Sequence, residues 1–118
     1  MCVAIAKPRG VDMPSHRVLS NCEWTNRDGM GVAWVKEGVL RIKKDFKTLA
    51  ELQEWVGANI TTDTPCLVHF RLATAGGVSV GMRHPFPISN DEVALRAPEA
   101  ECDMALVHNG VLWSMERD

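Results

Sequence analysis

The 118-residue chain has the length of one domain, and its 46% hydrophobic and 24% charged residues are those of a folded globular protein, not a disordered one. A formal net charge of −2 supplies no positive field for nucleic acid or an anionic membrane, and Lys43, Lys44 and Lys47 read as a solvated face. No run approaches the ~20 apolar residues of a membrane-spanning helix, and the first residues lack the pattern of a secretory signal. Four cysteines (Cys2, Cys22, Cys66, Cys102) lie far apart with no C-x-x-C pair, so the expected setting is a reducing cytoplasm, without a disulfide framework or a zinc site.

Along the chain, residues 2–6 form an apolar run with β-branched Val3 and Ile5, predicting a buried strand that ends in the turn Lys7-Pro8-Arg9-Gly10. Residues 15–24 hold a short helix with Ser15 as its cap, and Trp24 and Trp34 are expected in the core or in a pocket wall. Asn26-Arg27-Asp28-Gly29 is turn chemistry, and residues 31–35 and 39–42 flank Lys36-Glu37-Gly38 as a hairpin. Thr48-Leu49-Ala50-Glu51 has the form of a capping box, after which Leu49, Leu52, Trp55 and Val56 share one helical face to about Asn59. Residues 66–68 start another buried strand leading into His69-Phe70-Arg71. Gly76-Gly77 breaks the backbone, Pro85 and Pro87 hold an extended stretch, residues 91–103 read as a polar loop, and residues 104–107 form a last strand before His108-Asn109-Gly110. Strands, one clear helix and further strands make an α+β pattern, not a βαβ alternation.

Three places carry chemistry. A cysteine in a strand is ordinarily a small buried hydrophobe, but position 2 follows an initiator methionine that can be removed, leaving a thiol and a free α-amine on one residue. An α-amine has an ordinary pKa near ~7.7–8.0, so a useful fraction is neutral at pH 7 and can take the thiol's proton. Nucleophile and base then reside in Cys2 alone, and positioned proton transfer of this kind contributes roughly 10²–10⁴ in rate. Asn109-Gly110 reads, as a dipeptide, as a type I′ hairpin turn joining residues 104–107 to 111–113; the functional reading, compatible with that turn, is an oxyanion hole with the Asn109 side chain and the Gly110 amide as donors, each worth roughly 10²–10³. Arg71 is either a surface cation at a strand end or, before the small residues 73–77, a bidentate clamp for a carboxylate, with the Thr74 hydroxyl beside it. His69, His84 and His108 lack the local spacing of a zinc triad and read as hydrogen-bonded strand-end residues. No metal or cofactor is called for.

Taken together, Met1-Cys2-Val3, Asn26-Arg27-Asp28-Gly29-Met30-Gly31, His69-Phe70-Arg71-Leu72-Ala73-Thr74-Ala75-Gly76, His84-Pro85-Phe86 and Val107-His108-Asn109-Gly110 resemble the class II glutamine amidotransferases, a branch of the N-terminal-nucleophile (Ntn) hydrolases. Each motif alone is weak; the five run in the family's order across nearly the whole chain, and the set is most similar to the stand-alone members. The resemblance implies a four-layer αββα sandwich formed by residues 1–118, with the Cys2 strand central. It implies hydrolysis of the glutamine γ-amide through a thioester, giving glutamate and ammonia, and a partner enzyme that accepts the ammonia. In that scheme Cys2 is the nucleophile, Asn109 and Gly110 form the oxyanion hole, Arg71, Thr74 and Ala75 bind the α-carboxylate, and His84 lies beside the pocket.

Two departures from the family accompany this. Thr74-Ala75-Gly76 stands where many members carry Thr-His-Gly, and the chain stops before the position of an aspartate that holds the substrate ammonium, so the sandwich is expected to be incomplete at the C-terminus. Loss of one charge-assisted hydrogen bond, roughly 1.5–3 kcal/mol, would weaken glutamine use about ten- to a hundredfold. The competing expectations are a catalytically weak or inactive member acting as a binding module, and an Ntn amidase on another γ-glutamyl amide.

Overall fold

The structure is a computed structural model that describes residues 2–73 and 79–109. Local chemistry sets most of its elements where the residues predict them. After β1 (Val3–Lys7), Ser15 caps α1 (His16–Thr25) by accepting the Val18 amide at 3.4 Å. β2 (Met30–Lys36) and β3 (Val39–Phe46) form the expected hairpin, with Glu37 at φ 54° and Gly38 at φ 76° as the two left-handed residues of a tight turn. Thr48 caps α2 (Leu49–Asn59) by accepting the Glu51 amide at 3.2 Å. The Glu51 carboxylate reaches back to the Lys47 amide at 3.0 Å, one residue before the cap. Glu23 of α1 accepts the Leu49 amide at 2.5 Å, so one helix supplies an acceptor for the open end of the other.

β4 (Cys66–Phe70) follows, then a short 3₁₀ turn (Val80–Met82), β5 (Phe86–Pro87), α3 (Glu92–Arg96), β6 (Glu99–Cys102) and β7 (Ala105–Leu106). Residues 91–103 are therefore not the polar loop their composition predicts. Asp91 caps α3 by accepting the Val93 amide at 2.9 Å, and β6 pairs antiparallel with β3, with the cross-strand ion pairs Arg41–Glu101 at 3.4 Å and Lys43–Glu99 at 3.3 Å on its surface. An outer strand lined with charged cross-strand pairs shows little of the apolar alternation that marks a strand in sequence.

Among the described residues the main sheet runs β1-β4-β2-β3-β6, antiparallel at every pairing, with β5 and β7 as a separate ribbon. β1 lies at the edge of this sheet, not at the centre expected for it, because β4 is its sole strand partner among the described residues. One face of the sheet packs on α1 and α2 through Val32, Trp34, Val68, Phe70, Leu19 and Leu52. Trp55 of α2 meets Trp34 edge-on at 4.5 Å and Phe46 at 5.4 Å. Trp34 is thus in the core, as predicted, but Trp24 is 71% exposed with the Arg27 guanidinium 5.0 Å above its ring. Leu19 takes the buried side of α1, and five residues on, roughly 140° around the helix, Trp24 faces out.

The opposite face carries Ala4, Ala6, Gly31, Ala33, Ile42, Lys44 and His69. A register shift between Met30 and Val32 places an extra residue on β3, so Lys43 and Phe46 stay on the helix side (Nζ 5.2 Å from the ring) while Lys44 turns away. Residues 79–98 cover it there, and Lys44 is fully buried, contrary to the solvated face its sequence setting predicts. Its Nζ donates to the Leu95 carbonyl at 2.7 Å and lies 4.2 Å from the Phe86 ring centre. Farther along this face, around Ala6, Ala33, Val35 and Leu67, an apolar groove of about 430 Å³ remains open. The architecture is an α+β fold, and no helix among the described residues is long and apolar enough to cross a membrane.

Candidate active site

Strand register brings the first candidate residues together. β1 runs against β4 with Val3 opposite Phe70, so Cys2 falls at the level of Arg71 and Leu72. Val3 and Ile5 pack on the helix side, and alternation sends Cys2 to the other face. The Cys2 sulfur accepts the Leu72 amide at 3.4 Å and lies 3.6 Å from the Leu72 carbonyl oxygen, to which the thiol can donate. Half-buried and free of any disulfide, it sits against the backbone just past β4.

Arg71 is 5% exposed, which removes the reading of a surface cation. Its backbone is fixed on both sides by the Asn-Arg-Asp-Gly turn. The Arg71 amide donates to the Gly29 carbonyl at 2.9 Å, and the Asp28 amide donates to the Arg71 carbonyl at 2.7 Å. The Asp28 carboxylate then accepts the Ala73 amide at 2.7 Å. Asp28 is therefore more than a turn former: it holds the chain two residues past Arg71. Asn26, 2% exposed, closes α1 by donating its side-chain amide to the Cys22 carbonyl at 3.2 Å and the Thr25 hydroxyl at 2.8 Å.

The glycines of the same motif are explained by what lies over them. Gly29 has φ 116°, open to glycine and strained for other residues. A Cβ on Gly31 would come within 2.9 Å of Pro85 Cδ and of Lys44 Cβ, and closer still to the His84 carbonyl. The Asn-x-Asp-Gly-x-Gly and His-Pro-Phe segments, more than fifty positions apart, are therefore in direct contact.

Histidines gather at the same end. His69, fully buried, has its ring centre 4.4 Å from that of His84, which lies 4.7 Å from His108 and 4.7 Å from Phe86. Burial pushes His69 down to about 4, opposed in part by the nearby His108 backbone and Asn109 side chain and reinforced by the charges of His108 and Arg71; neither ring nitrogen has a hydrogen-bond partner among the described residues. Burial, reinforced by the neighbouring histidines and Arg71, pushes His84 down to about 3. Both rings are neutral at pH 7. Among the described residues, no group of three or more His, Cys, Asp or Glu could hold a metal ion.

Of the sequence-predicted site, the register of β1 on β4 sets Cys2 at the level of Arg71, His84 packs its ring on His69 two residues before Arg71, and Asn109 falls near His69. No hydrogen bond among the described residues links Cys2 to Asn109. Thr74, Ala75 and Gly110, and the hairpin expected beyond Gly110, lie outside the described residues. Sequence reasoning missed the Asp28 carboxylate, the Leu72 backbone, Lys44 and Arg83. For Asp28 the Asn-Arg-Asp-Gly motif was the available signal; for Arg83 and Lys44 there was none. Comparison with protein families, with curated proteins and with solved structures finds no match to this chain.

Proposed function

We propose that the chain is a glutamine amidohydrolase of the class II, N-terminal-nucleophile type, in which Cys2 attacks the γ-amide of glutamine or a related γ-glutamyl amide. The observation that carries this reading is the placement of Cys2 against Leu72, one residue from a buried Arg71 that opposite-charge recognition suits to a carboxylate. The same reading takes the fold to be an αββα sandwich and the setting to be a reducing cytoplasm, where the four cysteines, all free, stay as thiols.

With Met1 removed, the Cys2 amine takes the thiol proton as sulfur bonds to the amide carbon. The oxygen becomes negative in the tetrahedral intermediate and is held by the Asn109 side chain and the Gly110 amide. The amine's proton passes to the departing nitrogen, ammonia leaves, and a glutamyl thioester remains. Water then adds to the thioester, its proton is taken by the same amine, and glutamate is released with the thiol restored. An ammonia-accepting partner enzyme fits this chemistry. His69 and His84, being neutral, add no charge beside Arg71, whose guanidinium takes the substrate carboxylate in this reading.

The test is mass spectrometry of the processed protein after exposure to a glutamine-analogue diazoketone. One equivalent should attach to Cys2, with Cys2→Ala unlabelled and unable to release ammonia from glutamine. Burial pushes the thiols of Cys22, Cys66 and Cys102 up, which disfavours their reaction as thiolates. Labelling elsewhere, or full turnover by protein that keeps Met1, would overturn the reading.

A further inference from the structure

Arg83 belongs to no motif discussed so far, yet it is 8% exposed and sits at the junction of three segments. Its Nη1 donates to the carbonyls of Phe46 at 3.0 Å and Lys44 at 3.2 Å, both near the end of β3. The other side of the guanidinium lies on Gly29: a Cβ there would come 2.6 Å from Arg83 Cδ and nearer still to Nε and Cζ. Gly29 in turn accepts the Arg71 amide, and its neighbour Asp28 both donates to the Arg71 carbonyl and accepts the Ala73 amide. The charges of Asp45, Arg71, Asp28 and Glu51 all act on Arg83. A buried cation beside a second cation is costly unless its donors are used and carboxylates stand near; here Nη1 is used twice and Asp45, Asp28 and Glu51 act on the charge, while the buried Nε has no hydrogen-bond partner among the described residues.

We propose that Arg83 is a positioning residue for the carboxylate clamp: anchored on the β3 backbone, its guanidinium sets the Asp28-Gly29 turn and, through it, the placement of Arg71. The proposal rests on the reading of Arg71 as the carboxylate-binding group. It also accounts for the chemistry at position 83. A guanidinium can donate from one nitrogen to two carbonyls while Nε and Cζ stay close against a glycine, whereas a lysine has no such second group to set against the turn. A residue at position 29 with any side chain would push the fork off the turn.

The test compares two reagents on the processed full chain: a glutamine-analogue diazoketone, which carries the α-carboxylate, and iodoacetamide, which does not. For each, the rate of Cys2 modification is followed by mass spectrometry, and the ratio of the two rates reports carboxylate recognition alone. In Arg83→Gln the ratio should fall on the order of ten- to a hundredfold, since a misplacement of about 1 Å is enough for such a loss. Arg83→Lys should recover part of it, and Gly29→Ala should reproduce the loss from the opposite side of the contact. A ratio unchanged in Arg83→Gln and Gly29→Ala overturns the proposal, because a residue that merely supports the fold would slow or speed both reagents alike. Should the unsubstituted protein show no preference for the carboxylate-bearing reagent, it is the Arg71 reading that fails. Amide exchange then decides the positioning role by itself. Protection at Asp28, Arg71 and Ala73 should drop in Arg83→Lys relative to Val32 and Val68; no drop, or an even one, overturns it.

Discussion

The two faces of the main sheet are built from opposite materials. On the helix side the buried residues are Val32, Trp34, Val68, Phe70 and Leu52, and exchange of apolar surface for water explains their arrangement. On the other side the chain buries Lys44, His69, Arg71 and Arg83, groups whose removal from water costs free energy unless partners compensate. Among the described residues Lys7 is the one charged residue buried near the helix side, and its amine escapes the core by donating to the loop carbonyls of Thr64 at 2.8 Å and Thr62 at 3.1 Å. A strand thus presents stability on one face and chemistry on the other, and β4 with the residue that follows it does so residue by residue: Val68 and Phe70 inward, His69 and then Arg71 toward the site.

That contrast can be broken most forcefully on the helix side. Leu52→Ala removes a side chain 1% exposed among Trp34, Phe70 and α1, and it should cost about 2–5 kcal/mol in urea unfolding. At a temperature where the variant is still folded, the rate of Cys2 modification should match that of the parent. A change in that rate without a change in stability would mean that the two faces are not independent. Arg71→Lys makes the opposite cut. The cation is kept and the bidentate fork is lost, so the KM for glutamine should rise about ten- to a hundredfold while the unfolding midpoint moves far less than in Leu52→Ala. Steady-state ammonia release checks the first half, and an equal effect on kcat and KM would argue against a role in substrate binding.

A smaller effect comes from pH. His69 and His84 have folded-state pKa values pushed from 6.5 to about 4 and about 3, so between those values and 6.5 the unfolded chain binds protons that the folded chain refuses. Stability should therefore be complete above about pH 6.5 and fall as pH drops through 6 and 5. Urea midpoints across that window should decline, and His84→Gln should flatten the decline by removing one of the two groups. Ring-proton titrations of His69 and His84 with midpoints near 6.5 would contradict the burial of these rings.

What was legible in the residues follows the range of the interactions involved. Ser15, Thr48 and Glu37-Gly38 act within three or four positions, and each element they define lies where local chemistry predicts. Cys2 beside Arg71 was legible as a pair of motifs, although the distance between them is set by the register of β1 on β4. Lys44 was not, because its burial depends on one extra residue in β3 and on cover from residues 79–98, neither of which changes the look of a lysine pair. β6 was read as loop because its charged residues hide a strand's alternation. The place of β1 outside β4 among the described strands is a matter of strand order, which no single segment encodes.

The smallest predicted effect tests how local the helix face is. Thr48 caps α2 by accepting the Glu51 amide, and Glu23 independently accepts the Leu49 amide. If these acceptors satisfy different orphan donors of the same helix end, neither can replace the other, and Thr48→Ala should cost about 1 kcal/mol even with Glu23 in place. Glu23→Gln should cost a comparable amount or less, since a neutral amide oxygen still accepts but loses the attraction of a carboxylate for the helix N-terminus. Because the two bonds engage separate amides, the double variant should show near-additive losses in thermal or urea unfolding. A double loss much smaller than the sum would mean that α2 frays at its first turn once either acceptor is gone. The tie between α1 and α2 would then be one cooperative contact and not two.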